Sequence, residues 1–420
     1  MAPIAVASGK LSLVAQVFAL RLCSYLLAWA GFALGWSATQ RFEGTTIPGG
    51  VSTGYLLYPI FVPMFFAEFA RIGSDSLCLF LLGLIFQLTL RLIYGKCPTI
   101  MMPILLGGLL GLGLLTKAFF LPLLAGYSAF LLFRVWRVRG KTQLVRQRLL
   151  TFCLTTMPAL LIGAGWYVRN FLVYGSPTGS TDSILIAQLG GLLPKLISHF
   201  SIHTLVSDIL GIAVSWSWGG SWSLVRVSPW LQIPLLLIAA WLMVAYFLAA
   251  RGHSVEGPIW LPVWLTMPLL AGLFYHVLVV IALASNGTPG WYLNILAPFL
   301  AFAMGLGIER ISRKKLGRAF LRGALIYAVA FLIIVMWSQV ALFSGCAIKN
   351  NAKLYQFDGQ LFCLDRLSEI AHRLSIIGWP NLSIVALGGG LLCIVSALSC
   401  SPLTARIREW PTQSLTWKNG

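Results

Sequence analysis

The chain has 420 residues, 58% of them hydrophobic and only 10% charged, with 30 Lys and Arg against 11 Asp and Glu. So thin a polar shell cannot cover a water-soluble core, which excludes a soluble globule, makes the bilayer the solvent and leaves no stretch for a sizeable soluble domain. The net charge of +19 does not read as a nucleic-acid footprint, because the basic residues lie beside apolar runs instead of forming an aromatic-interleaved surface.

Apolar runs near the length of about 20 residues that crosses a hydrocarbon core predict eleven helical spans in one all-α polytopic domain covering 1–420. They lie near 12–38, 53–72, 75–94, 99–116, 118–137, 149–171, 230–250, 258–284, 291–309, 320–344 and 380–400. Arg134, Arg137, Arg139, Lys141, Arg146 and Arg148 crowd one connection, and Arg310, Arg313, Lys314, Lys315, Arg318 and Arg322 another. The positive-inside rule places both in the cytoplasm, together with the end near Arg91 and Lys96 and the 401–420 tail with Arg406 and Arg408. Counting back, 72–75, 116–118, 171–229, 285–291 and 345–379 fall on the outer face, as does the N-terminus. Met1–Lys10 holds no signal peptide, so an outward N-terminus in so short a leader leads us to expect a shortened chain that lacks a preceding span and loop.

The outer connections carry the polar residues that function would need, since ionisable groups at such depth are costly unless paired or used. In Phe66-Ala67-Glu68-Phe69-Ala70-Arg71-Ile72-Gly73-Ser74-Asp75, helical spacing puts Glu68, Arg71 and Asp75 on one face, with Asp75 capping the next span. The bland alternative is a satisfied ion pair at a helix end. Lys117 follows the glycine-rich run 107–113 with almost no connecting loop. It can snorkel to the interface or present a point charge to a lipid phosphate, while the glycines read as a helix-packing face, since no strand and loop of a P-loop accompany them.

Further along, Arg169 and Asn170 sit in Gly165-Trp166-Tyr167-Val168-Arg169-Asn170-Phe171 before a Gly-Ser-Pro turn. An arginine where cations are sparse suits bidentate phosphate recognition. The segment 175–229 reads as an outer-face amphipathic element, with Trp216, Trp218 and Trp222 offering either interfacial anchors or stacking faces for a sugar. His199 and His203 share helical spacing, but two imidazoles without a third ligand make a poor metal site. No cofactor is called for, and a divalent cation stays open as an alternative. Cys346 and Cys363 share the outer loop 345–379, where an oxidising compartment could join them. Asn286 and Asn381 begin Asn-x-Ser/Thr patterns, which matter only in a eukaryotic lumen.

Taken in order, "YPIFVPMFFAEFARIGSDSL", "GLLGLGLLTKAFFLPL", "GWYVRNFLVYGSPTG", "WSWGGSWSLVRVSPW" and "GTPGWYLNILAPFLAF" resemble successive landmarks of the bacterial GT-C membrane glycosyltransferases, the class that contains protein O-mannosyltransferases and the aminoarabinose transferase. The resemblance runs from about residue 12 to 310 and rests on the order and shared side of the motifs. It implies a multi-helix fold in a bacterial inner membrane, a sugar donor on a polyprenyl phosphate, and transfer to a lipid, glycan or protein acceptor at the periplasmic face.

Residue by residue, the resemblance places Asp75 at an acidic landmark, where Ser74 stands in for the usual Asn. It places Lys117, Arg169 and Tyr292 at landmarks that hold the donor phosphate, although Trp291 replaces the arginine of an Arg-Tyr pair. Asn170, Trp218 and Trp222 are the substrate-binding candidates. Relatives carry an acidic residue in a first outer loop that this sequence begins too late to contain. Either the chain is inactive, or Glu68, Asp75 or Asp182 supplies the carboxylate. The chemistry wants these residue types, because negative charge collects on the leaving phosphate while the acceptor hydroxyl loses a proton. Two rivals are a transporter or lipid flippase, which would show internal repeats and midplane polar groups, and a catalytically inactive membrane subunit.

Overall fold

The computed structural model describes residues 13–95, 100–219, 226–285, 287–343, 356–357, 367–368 and 372. Their helices, in chain order, are α1 (Leu13–Phe42), α2 (Thr53–Phe61), α3 (Met64–Phe69), α4 (Asp75–Tyr94), α5 (Met101–Thr116), α6 (Phe120–Arg137) and α7 (Thr142–Tyr174). There follow α8 (Thr181–Gln188), α9 (Leu192–His199), α10 (Ile202–Trp218), α11 (Pro229–Ala250), α12 (Leu261–Ala282), α13 (Ala297–Ser312) and α14 (Lys315–Phe343), with 3-10 turns Pro258–Trp260 and Gly290–Leu296 leading into α12 and α13. Two two-residue strands, β1 (Arg226–Val227) and β2 (Gln356–Phe357), pair in parallel.

This is an integral membrane protein by length and apolarity. Seven helical stretches among the described residues are long and apolar enough to cross a bilayer, and an eighth is added if α9 and α10, bent by 105°, count as one broken span. Four of the eleven expected spans are not among these seven. The run at 53–72 is two short helices, because Pro63 has no N–H to continue α2 and pushes Val62 out of helical geometry, to φ −128 and ψ 73. The run at 99–116 is a helix of 16 residues. That at 118–137 ends in Arg134 and Arg137, which dilute its apolar character. The run at 380–400, Cys346, Cys363, Asn286 and Asn381 lie outside the described residues.

Contacts fix the direction of each pass. Gly31 of α1 meets Gly83 of α4 so closely that a Cβ on Gly83 would sit 2.0 Å from the Gly31 carbonyl oxygen, while Phe42 stacks on Tyr94 with ring centroids 5.4 Å apart. Helices α1 and α4 therefore run parallel, and α2 with α3 carries the chain back between them. Tyr55 lies beside Phe32, Phe65 beside Trp29, and Tyr58, Phe66 and Phe69 complete an aromatic cluster at this crossing. Such packing matters here because lipid offers no hydrophobic reward for burial, and close contact and ring geometry supply the cohesion instead.

Helices α5 and α7 are also parallel, packed along the glycine-rich run. A Cβ on Gly107 would lie 2.3 Å from the Thr155 carbonyl oxygen, and one on Gly111 would lie 2.7 Å from Ile162, so only glycine permits this approach. At one end of the bundle, Glu256 joins α6 to α7 by pairing with Arg137 and Arg148. At the other end lie the junctions α3–α4 and α5–α6, the C-terminal end of α7, and the turn Gly290–Leu296. The first is the basic end; the second holds the polar cluster described next.

The segment 175–229 is not a surface element throughout. Helix α9 leaves Leu193 and Ile197 67% and 73% exposed, as an interfacial helix would. Past the bend, α10 descends into the bundle. A Cβ on Gly290 would fall 1.8 Å from the Ile212 carbonyl oxygen, and Gln232 of α11 donates to the Val214 and Trp218 carbonyls at 2.6 and 3.0 Å.

Candidate functional site

Five segments converge at the end opposite the basic loops. Helix α3 ends at Phe69 and α4 begins at Asp75, so Glu68, Arg71 and Asp75 do not share one helix face as their spacing suggests. The intervening turn brings them together instead. Arg71 pairs with Glu68, and its Nη2 reaches Asp75 Oδ2 at 3.1 Å. From the α5–α6 junction, Lys117 Nζ reaches Asp75 Oδ1 at 2.5 Å. The same ammonium lies 4.8 Å from the centre of the Tyr292 ring and 5.3 Å from that of Phe119, whose rings are 4.5 Å apart. Two aromatic faces and one carboxylate thus define where the lysine charge sits.

The local reasons are visible in the chain. Lys117 follows the last helical residue of α5 with φ −157 and ψ 144, an extended residue that throws its side chain clear of the helix. Ser74 precedes α4 without making a side-chain cap hydrogen bond. Asp75 is therefore the first helical residue and not the cap, its negative charge sitting at the positive end of the helix dipole. Tyr292 belongs to the turn Gly290–Leu296, which is pinned when Gly290 N–H donates to Ser215 Oγ at 2.7 Å and Tyr58 Oη donates to Asn294 Oδ1 at 2.9 Å.

Charge and burial set what the cluster can do. Two carboxylates and two cations sum to zero. Glu68 and Asp75 are buried, whereas the Lys117 side chain keeps 26% of its surface open. Both Asp75 oxygens are engaged by cations, so Asp75 is badly placed to take a proton and well placed to aim Lys117. Glu68 Oε1 faces Arg71, while buried Glu68 Oε2 has no hydrogen-bond partner among the described residues.

The other expected site residues separate. Arg169 lies on the same end, because α5 and α7 are parallel and Tyr167 Oη donates to the Leu114 carbonyl at 2.9 Å. It is exposed and stacks on Trp166 at 5.6 Å; none of the contacts among the described residues ties it to the Lys117 cluster. Asn170 is buried, beside Gly179 of the following turn, and so supports that turn. Trp218 is 1% exposed in the core and has no free face for a sugar to stack on, and Trp222 lies outside the described residues. His199 ends α9 and His203 belongs to α10, so the 105° bend removes the shared helix face. Asp182 pairs with His276 at 3.5 Å, whose other ring nitrogen contacts Thr288 Oγ1 at 3.0 Å, away from Glu68 and Asp75.

Arg71 and Phe119 join the cluster without having been singled out as site residues. The spacing of Arg71 to Glu68 and Asp75 was a legible signal; Phe119 gave none, since one more phenylalanine in an apolar run carries no information. No family model, curated protein or solved structure matches the chain.

Proposed function

We propose that this protein is a membrane glycosyltransferase that moves a sugar from a polyprenyl-phosphate donor to an acceptor at the face opposite its basic loops. The observation that carries this reading is the partly open Lys117 ammonium, held by Asp75 and set on the rings of Phe119 and Tyr292 at that face. In the reaction, the bond from the anomeric carbon to the phosphate oxygen breaks with its electron pair leaving on the phosphate. A preorganised cation lowers the barrier by meeting that charge as it grows.

Lys117 is the group assigned to the leaving phosphate, with Arg71 beside it. Asp75 is a positioning residue. Glu68 is assigned the acceptor proton, because its Oε2 is the uncommitted carboxylate oxygen of the cluster. Tyr292 flanks the phosphate subsite through its ring.

The test uses full-length protein in lipid nanodiscs with a panel of polyprenyl-phosphate hexoses and pentoses, reading release of polyprenyl phosphate. Wild type should release it with at least one donor, and Lys117→Ala should lower the rate by roughly 100-fold, the scale of one lost charge-stabilising group. Equal turnover by the two proteins, or no release from any donor, would remove the assignment. A second reading, a structural clasp joining three helix ends, is favoured by the complete pairing of Asp75 and Arg71. It requires Lys117→Ala to lower thermal stability while leaving release untouched.

A further inference from the structure

The basic end holds a cavity of about 210 Å³ between α4, α6 and α7. Leu92, Leu131 and Leu144 line it together with Arg134, Gln147, Arg148 and Thr151. An anionic group fits this lining for a reason of charge balance. Among the described residues Glu256 is the carboxylate of this corner, and it is already engaged by Arg137 Nε at 3.2 Å and Arg148 Nη1 at 2.7 Å.

Arg134 makes no such ion pair among the described residues. Its Nε is buried and makes no hydrogen bond among the described residues, and its guanidinium carbon lies 5.8 Å over the Phe130 ring. Arg148 Nη1 also donates to the Arg134 backbone carbonyl at 2.5 Å, which ties α7 to α6 beside the cavity. Among the described residues, the guanidinium groups of Arg134, Arg137 and Arg148 therefore stand around one carboxylate, unlike the balanced cluster at the opposite end. A buried donor without an acceptor is costly, and a phosphate offers several acceptor oxygens in a geometry that guanidinium matches.

We propose that this cavity is a phosphate-binding site, filled by the headgroup of an anionic phospholipid. The three leucines of the lining and the position at the end of membrane-crossing helices favour a lipid, whose headgroup meets the arginines while its apolar part lies against the leucines. The site is independent of the Lys117 cluster, at the other end of the bundle.

The experiment follows thermal unfolding of the full-length protein in detergent with short-chain phosphatidylglycerol, short-chain phosphatidylcholine or sodium phosphate added. Phosphatidylglycerol should raise Tm by several degrees while phosphatidylcholine does not. Arg134→Gln and Gln147→Glu should each weaken the phosphatidylglycerol response at least tenfold in concentration. Arg139→Gln removes the same charge from a residue that stacks on Trp136 instead, and should leave the response unchanged. If Arg134→Gln fails to fold, the exposed Gln147→Glu decides. A response to sodium phosphate alone that Gln147→Glu abolishes supports the same site with free phosphate as its source. Equal responses to the two lipids, or a Gln147→Glu response matching wild type, overturn it.

Discussion

Asp75 governs the candidate site because its two oxygens are divided between Arg71 and Lys117. Removing its charge leaves two cations facing each other beside a buried glutamate. Asp75→Asn should therefore cost about 3 kcal/mol, the scale for breaking one partner of a buried ion pair, and a large drop in Tm would report it. In the same assay Lys117→Ala should cost much less, because its ammonium is partly open to solvent. Trp218 offers a cleaner contrast. It is 1% exposed while Trp230 is 84% exposed, so Trp218→Ala should lose roughly 3–5 kcal/mol and Trp230→Ala within about 0.5 kcal/mol. Trp218 looked like a sugar platform in sequence because tryptophan types are identical in a core and at an interface; only the descent of α10 into the bundle separates the two.

At the scale of elements, the chain uses proline and glycine to bend and to approach. Pro63 splits the returning pass into α2 and α3, and the break lets Phe65 and Phe66 turn toward Trp29. The parallel pair α5 and α7 depends on Gly107, whereas a Cβ on Gly108 meets nothing within 4 Å. Gly107→Leu should open the pair, at a cost of about 3 kcal/mol or more since the clash is with backbone, while Gly108→Leu should be tolerated. Size-exclusion profiles and Tm of the two variants in detergent check this. The glycine run was legible as a packing face in the sequence, because small residues at helical spacing have that use in lipid. Which helix it would face was not, since α7 follows only after all of α6.

Across the whole molecule, the alternation of passes keeps the charged loops apart from the Lys117 cluster. The basic loop at 138–141 and the turn at 175–180 occupy opposite ends, because α7 runs between them. In a chain with its native cysteines replaced, Lys141→Cys and Thr178→Cys should react with a membrane-impermeant maleimide from opposite sides of sealed vesicles. Labelling of both from one side would overturn the alternation. The charge balance differs between the ends as well, neutral around Asp75 and cationic around Arg134, so salt should weaken anion binding at the basic end far more.

Sequence alone determined the solvent, the helical class and the alternation of basic and non-basic loops, because each follows from counts and periods that a bilayer enforces on any chain. It also marked Glu68, Asp75, Lys117 and Tyr292 for one end. Tertiary structure decided which of these touch, gave Arg71 and Phe119 their places, sent Trp218 into the core, and left Arg169 apart. The physical reason is directional. A span's sidedness is a property of its own residues and flanks, whereas a side chain's partners depend on helix rotation, on breaks such as that at Pro63, and on the bend between α9 and α10, none of which is written in any one segment.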